Sequence, residues 1–141
     1  MTMLKQLQHI LHTSNCSCVI ANGDKIESFY QRGIKDLYEL LRSNRSLLEG
    51  ATIADKVVGK GAAALMILGK VGEVHADVIS TPALNLLRQY GLPVSFNQET
   101  DRIMNRNKNG LCPVETLCLS LESPEEMLTE IRNFINKITN G

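Results

Sequence analysis

The sequence predicts one α/β domain over residues 1–141, a three-layer α/β/α sandwich built on a mixed sheet. Three observations predict it. Strand and helix patterns alternate through the middle of the chain, which is typical of parallel strands joined by crossover helices. An Asn-Gly pair between two apolar runs near the N-terminus predicts an antiparallel hairpin. The segment 62–68 is apolar on all sides, so the helix that contains it must be covered on every face.

The first half of the chain starts with an amphipathic helix, because Leu4, Leu7, Ile10 and Leu11 recur at helical spacing. Strands over 16–21 and 24–30 then flank Asn22-Gly23, where a type I′ turn needs positive φ at both central residues. A second amphipathic helix ends near 43–44. A strand over 51–58 follows and leads into the central helix, about residues 60–68, with Gly69 as its C-terminal cap.

The second half continues with a strand in which Val74, Ala76 and Val78 alternate with polar residues. Thr81 as N-cap and Pro82 as first helical residue predict the start of the next helix. A short strand over 92–96 and a polar segment over 97–110 follow. Two capping-box patterns, Cys112 to Glu115 and Ser123 to Glu126, predict the starts of the last two helices.

Composition argues against several classes of function. Fifteen basic and fifteen acidic residues give a formal net charge of +0, and no block of like charge offers a surface for nucleic acid or membrane. The chain has no Trp and few other aromatics, so base stacking is not expected. No apolar run approaches the roughly 18 residues of a membrane span. Residues 1–12 lack signal-peptide features, so we expect a cytoplasmic protein whose four cysteines are thiols.

The turn that enters the central helix is the first candidate site. Gly59 and Gly61 flank Lys60, and a charged pair, Asp55 and Lys56, precedes them. Free backbone N–H groups at a helix start, together with a cation, suit a phosphate or carboxylate. The alternative is that the glycines permit close packing and the lysine is solvated. Ser80, at the end of the neighbouring strand, should lie beside this turn, because ligands bind at the carboxyl ends of parallel strands.

The polar segment before the fifth predicted helix is the second candidate. Cys112 lies at a predicted helix start, where the helix dipole favours the thiolate. Arg106 could reinforce that effect or bind an anion, with Asn105 and Glu115 beside it. The alternative is that Cys112 only caps the helix and that the asparagines only form the loop.

Metal and histidine chemistry are weaker candidates. Cys16 and Cys18 share a strand face, but Cys112 and Cys118 are not at zinc-knuckle spacing, so neither a metal nor another cofactor is predicted. His75 and Asp77 could pair as base and orienter. The polar side of a partly exposed strand explains them as well.

The order of elements resembles the cytidine-deaminase-like fold. Those enzymes carry His-Ala-Glu or Cys-Ala-Glu at the start of the central helix and Pro-Cys-x-x-Cys at the start of the next one. This chain has Lys60-Gly61-Ala62 at the first position. At the second it keeps Pro82 but has Ala83 and Leu86 in place of the cysteines. The resemblance therefore implies the fold without its zinc ligands or its catalytic glutamate.

A closer resemblance is to a small bacterial family of unknown function with the same fold. Four stretches carry it: 54–60, 76–80, Asn105-Arg106 and 112–115. It implies a cytoplasmic bacterial protein with a pocket and supplies no activity.

The leading hypothesis is a zinc-free, deaminase-like domain that binds a small anionic metabolite, with a nucleotide as the best guess. The residues expected to line its site are Asp55, Lys56, Gly59, Lys60, Ser80, Asn105, Arg106, Cys112 and Glu115. One alternative is an enzyme that uses Cys112 as a thiolate nucleophile on a nucleotide-like substrate, assisted by Glu115. Another is a structural or partner-binding protein that uses its C-terminal helix as the contact surface. Self-association into a homo-oligomer stays open.

Overall fold

The computed structural model describes residues 2–31, 34–103 and 113–140. Within those ranges it has five strands: β1 (Cys18–Asn22), β2 (Lys25–Phe29), β3 (Thr52–Val58), β4 (Glu73–Ser80) and β5 (Val94–Thr100). The same ranges hold seven helices: α1 (Met3–Thr13), α2 (Lys35–Ser43), α3 (Arg45–Leu48), α4 (Lys60–Leu68), α5 (Thr81–Gln89), α6 (Pro113–Cys118) and α7 (Pro124–Asn140). None of these helices is long and apolar enough to cross a membrane.

The five strands form one mixed sheet in the order β2-β1-β3-β4-β5. The pairs β3–β4 and β4–β5 are parallel, whereas β1 is antiparallel to both β2 and β3. The predicted mixed sheet is thereby confirmed. The carboxyl ends of the three parallel strands lie at one edge of the sheet, and each is followed by a helix or a loop that can contribute to a site there.

The two faces of the sheet carry layers of different thickness. On one face α1 packs alone, and its Leu7 and Leu11 meet Val19, Ala21 and Ala54. On the other face, all six remaining helices contribute buried side chains to a larger apolar cluster. Ile20 and Ile53 belong to that larger cluster, as the alternation of side chains along a strand requires. Helices therefore cover both faces of the sheet.

Helix α4 is the centre of the thicker layer, as its composition predicts. Every residue from Gly61 to Met66 is buried, and α4 contacts α2, α5, α6 and α7. A Cβ at Gly61 would lie only 2.5 Å from Cγ1 of Val114, so the glycine allows α6 to approach closely. Helix α7 also packs against α4, and Met127, Ile131 and Ile135 of its apolar stripe are buried in this cluster.

The hairpin turn lies one residue later than predicted. Asn22 pairs with Lys25, so the two loop residues are Gly23 and Asp24. Of these two only Gly23 has positive φ, 61°, which fits a type II′ turn rather than type I′. Asn22 is the last strand residue, and its Nδ2 donates to the carbonyls of Ser46, Leu47 and Glu49. The amide has two N–H groups, so at least one of them is shared between two of these carbonyls. These tertiary contacts hold Asn22 at the end of the strand, where the sequence predicted the loop.

Three further predictions concern element ends. The N-cap of α5 is Ser80 rather than Thr81, because Ser80 Oγ accepts from the backbone N–H of Ala83 at 3.2 Å. Strand β5 runs to Thr100, past the predicted end at residue 96. One half of the capping box predicted at the start of α7 is present, since Ser123 Oγ accepts from the backbone N–H of Glu126. The Glu126 carboxylate accepts from the hydroxyl of Ser123, where a capping box has it accept from the backbone N–H of the N-cap residue.

Candidate functional site

Glu115 lies where the N-termini of α4 and α5 meet. Its side chain is buried, with 2% exposed, and Oε1 accepts two long hydrogen bonds. One comes from the backbone N–H of Lys60, the first residue of α4, at 3.4 Å, and the other from Ser80 Oγ, the N-cap of α5, at 3.5 Å. Helix N-termini carry partial positive charge, so both helix ends favour a carboxylate here. The capping box predicted for α6 pairs Glu115 with Cys112, which lies outside the described residues, whereas the contacts of Oε1 are with the starts of two other helices.

The second carboxylate oxygen of Glu115, Oε2, has different surroundings from Oε1. Oε2 is buried, and none of the described residues donates a hydrogen bond to it. A Cβ at Gly59 would lie 2.6 Å from this oxygen, so the missing side chain of Gly59 makes room for it. Burial raises the pKa of Glu115, and the Lys60 N–H, the Ser80 hydroxyl and the charge of Arg102 oppose that rise only in part.

Lys60 holds the connection between α6 and α7 in place. Its Nζ donates to the carbonyls of Leu119 at 3.1 Å and Leu121 at 2.6 Å. Leu119 directly follows α6, where helix carbonyls carry partial negative charge, and this charge partly offsets the unfavourable position of a cation at the start of α4. An ammonium has three N–H groups, so one stays available after these two bonds. Neither sequence interpretation of Lys60, a solvated side chain or a dedicated anion ligand, describes this arrangement fully.

A cleft of about 540 Å³ lies beside these residues. It is lined by Lys60, Thr81, Pro82, Asn85, Leu86, Gln89, Arg102, Leu121 and Glu122. Lys60, Thr81 and Arg102 come shortly after the ends of β3, β4 and β5, respectively. The cleft is therefore at the carboxyl edge of the parallel strands, where open α/β sheets bind their ligands.

The lining of the cleft combines positive charge, hydrogen-bonding groups and apolar surface. Lys60 and Arg102 bring two cations, against the one carboxylate of Glu122. The guanidinium of Arg102 is exposed, and its Nη1 donates to the carbonyl of Asp101. Asn85 and Gln89 add amides along one side of α5, and their neighbours Pro82 and Leu86 are apolar. Six of the nine lining residues are polar or charged, so the cleft suits a charged, hydrogen-bonding ligand better than an apolar one.

Two predicted site residues lie in other surroundings. Asp55 is buried in β3, opposite Cys18 of β1, and its Oδ1 accepts from the backbone N–H of Val57. Burial raises its pKa to about 7, although the N–H groups of Val57 and Lys56 act in the opposite direction. Lys56 donates from Nζ to Asn15 Oδ1 at 3.0 Å, beside the connection from α1 to β1. Neither Asp55 nor Lys56 lines the cleft.

Three other predicted site residues, Asn105, Arg106 and Cys112, lie outside the described residues. The expectations about a reactive Cys112 thiolate and an anion-binding Arg106 therefore stay predictions. Lys60, Ser80, Gly59 and Glu115 are the predicted residues that the structure brings together.

The histidines and cysteines form no metal centre in the described part of the chain. No group of three or more His, Cys, Asp or Glu residues there has the geometry to hold an ion. His75 Nδ1 lies 2.8 Å from Ser95 Oγ, whereas Asp77 pairs with His12 at 2.7 Å. The hydrogen bonds that the structure gives to His75 and Asp77 therefore go to other residues.

Arg102, Asn85 and Gln89 are cleft residues that the sequence did not indicate. Arg102 lies in a polar segment without a motif, and the two amides lie on α5 among other polar residues. Helical periodicity shows that Asn85 and Gln89 share a face, since they are four residues apart. Nothing in that periodicity distinguishes a face lining a cleft from one in open solvent.

Comparison with known proteins places this arrangement in a family. A family model for TM1506, described as a domain of unknown function (DUF1893), matches residues 6–135. The chain belongs to the DUF1893 family. Among solved structures, the chain is similar to a DUF1893 family protein, TM1506, from Thermotoga maritima, with 30% identity and a TM-score of 0.86. The match covers 93% of this chain and 88% of the Thermotoga chain. No curated protein matches.

Proposed function

We propose that this DUF1893 domain binds a small anionic metabolite in the cleft beside α5, with a nucleotide as the best-fitting class. The observation that carries the proposal is the excess of cations in the cleft, where Lys60 and Arg102 face one carboxylate. The volume of about 540 Å³ suits a molecule of nucleotide size. Amides at Asn85 and Gln89 would serve a polar ring, and the apolar Pro82 and Leu86 of the same helix would cover its face.

We also propose that the domain is a zinc-free relative of the cytidine-deaminase-like proteins, from a bacterial cytoplasm. The succession β3-α4-β4-α5-β5 with parallel strands supports this kinship. The convergence of the α4 and α5 N-termini supports it as well, because the metal site of those enzymes is built from the same two helix starts. At the ligand positions this chain carries Lys60, whose Nζ donates to two backbone carbonyls, and Ala83 and Leu86, which are buried and offer a metal no donor atom. Ala62 stands at the position of the glutamate.

Calorimetry and thermal unfolding test the binding proposal. The probes are AMP, CMP, GMP, UMP and inorganic phosphate. At 100 times its Kd, a ligand that binds only the folded state stabilises it by about 2.7 kcal/mol, which raises Tm measurably. At least one nucleotide should do so.

Arg102→Gln and Arg132→Gln are the matched variants for this experiment. Both remove one exposed guanidinium, but Arg132 lies on α7, outside the cleft lining. Arg102→Gln should weaken binding and Arg132→Gln should leave it unchanged. The proposal fails if no probe stabilises the wild-type protein, or if the two variants lose affinity equally.

A further inference from the structure

The buried Oε2 of Glu115 is a hydrogen-bond acceptor without a donor among the described residues. Only 2% of Glu115 is exposed, and no described residue donates to this oxygen. Leaving a buried charged acceptor unpaired costs more than about 1–3 kcal/mol. A simple structural role would not require that cost, because Oε1 alone accepts the N–H of Lys60 and the hydroxyl of Ser80.

Glu115 is not itself a lining residue of the cleft, but several residues beside it are. Lys60, whose backbone N–H meets Oε1, lines the cleft with its side chain. Thr81 lines it too, and the preceding Ser80 donates to the same carboxylate oxygen. The charge of Arg102, another lining residue, acts on Glu115.

The charge of the Glu115 carboxylate also determines which end of a ligand can lie beside it. The α4 N-terminus, which the glycine-lysine-glycine turn marked as an anion site, already faces an anion from its own chain. A phosphate placed beside Glu115 would be repelled by a like charge in a poorly solvated position. The anionic end of a ligand must therefore lie toward the guanidinium of Arg102 and the ammonium of Lys60. What Oε2 lacks is an N–H or O–H group.

We propose that Glu115 Oε2 accepts a hydrogen bond from the non-anionic end of the ligand bound in this cleft. The ligand class is thereby narrowed to molecules that carry an anionic group at one end and an N–H or O–H donor at the other, as a nucleoside monophosphate does. Inorganic phosphate has the anionic group but no separate end that carries an N–H or O–H donor. The inference rests on the proposed function, since it concerns the same cleft.

The test compares AMP, CMP, GMP and UMP with inorganic phosphate by calorimetry on wild type and Glu115→Gln. Glutamine keeps the size of the side chain and one acceptor for Lys60 and Ser80, but it replaces the other oxygen with a donor. Loss of a hydrogen bond to a charged acceptor should weaken the tightest nucleotide about ten- to a hundredfold. Phosphate affinity should change far less, or rise as the negative charge disappears.

Gly59→Ala provides a second variant that retains the charge. The added Cβ would lie 2.6 Å from Oε2 and should displace it or block access to it, so nucleotide affinity should fall while phosphate affinity is kept. Thermal unfolding of each variant shows whether it is folded, and either folded variant suffices for the test.

Two results overturn the inference alone. One is a wild-type protein that binds phosphate as tightly as every nucleotide, and the other is a folded variant that retains full nucleotide affinity. A wild-type protein that binds none of the five probes overturns the proposed function, and this inference with it.

Discussion

Asp55 should make the stability of this domain depend on pH in an unusual direction. Its side chain is only 9% exposed, in a strand with neighbours on both sides. Burial raises its pKa from 3.8 to about 7, and the negative charges of Asp77 and Asp36 add to the rise. The folded protein therefore holds the Asp55 proton more tightly than the unfolded chain does.

The sign and the size of the effect follow from linkage. A group with a raised pKa in the folded state contributes stability that is fully present below its unfolded pKa and is lost as the pH rises through its folded pKa. For Asp55 that window runs from 3.8 to about 7. Each pKa unit corresponds to about 1.4 kcal/mol, so roughly 4 kcal/mol of the free energy of unfolding should disappear between about pH 4 and pH 8.

Urea unfolding of wild type and Asp55→Asn across this pH range measures the effect. Asparagine keeps a carbonyl oxygen for the N–H of Val57 but carries no charge. The free energy of unfolding of Asp55→Asn, relative to that of wild type, is expected to rise steadily with pH, by several kcal/mol at pH 8. Glu115, whose pKa is also raised, is present in both proteins and cancels in the difference. Asp36 is present in both as well, but its charge acts on Asp55, so part of the difference belongs to that pair.

Asp24→Asn is the matched control, because Asp24 is exposed in the hairpin turn. Its stability relative to wild type should vary little between pH 4 and pH 8. A constant difference between wild type and Asp55→Asn over the same range would refute the argument, since it would mean that Asp55 ionises as readily in the folded state as in the unfolded chain.

Three further predictions test the site and its supports. Gly59→Ala should cost about 1–3 kcal/mol in the free energy of unfolding, measured with urea, because its Cβ would meet Glu115 Oε2 at 2.6 Å; an unchanged value would show that the carboxylate moves freely. Asn22→Ala should cost a similar amount, about 1–3 kcal/mol, by leaving three carbonyls without their donor, and a cost near zero would contradict that role. Under native conditions iodoacetamide should label one thiol, Cys112, as followed by mass spectrometry, and Cys112→Ser should abolish the labelling; fast modification elsewhere would contradict this. The remaining three cysteines are buried: Cys16, Cys18 and Cys118.

The parts of the fold that the sequence predicts well are those decided by burial alone. The central position of α4 follows from its composition, because a helix without a polar face must be covered on all sides by other elements of the domain. The hairpin shows where such reasoning stops. An Asn-Gly pair fits a loop that starts at either residue, and only the contacts of Asn22 with the distant carbonyls near α3 decide between them. Those contacts join residues 24 or more positions apart, so no local pattern contains them.

The candidate site follows the same division. Lys60 and Ser80 could be predicted as neighbours, because the carboxyl ends of adjacent parallel strands must meet. Asp55 and Lys56 precede the strand end, where successive side chains alternate between the two faces of the sheet, and each is used elsewhere. Arg102 carries no local signal at all, because its place in the cleft depends on how far β5 extends.

Glu115 shows why a helix start rich in glycine and lysine is an ambiguous sign of an anion site. Such a start attracts negative charge, and here the chain supplies that charge itself from α6. If the helix ends compensated the carboxylate fully, its pKa would lie below the ordinary value, because hydrogen bonds and positive charge favour the ionised form. Burial raises the pKa instead, so the compensation is incomplete. The uncompensated oxygen is Oε2, which faces Gly59. A ligand group that donates a hydrogen bond to it would stabilise the carboxylate, and the same bond would strengthen the binding of that ligand.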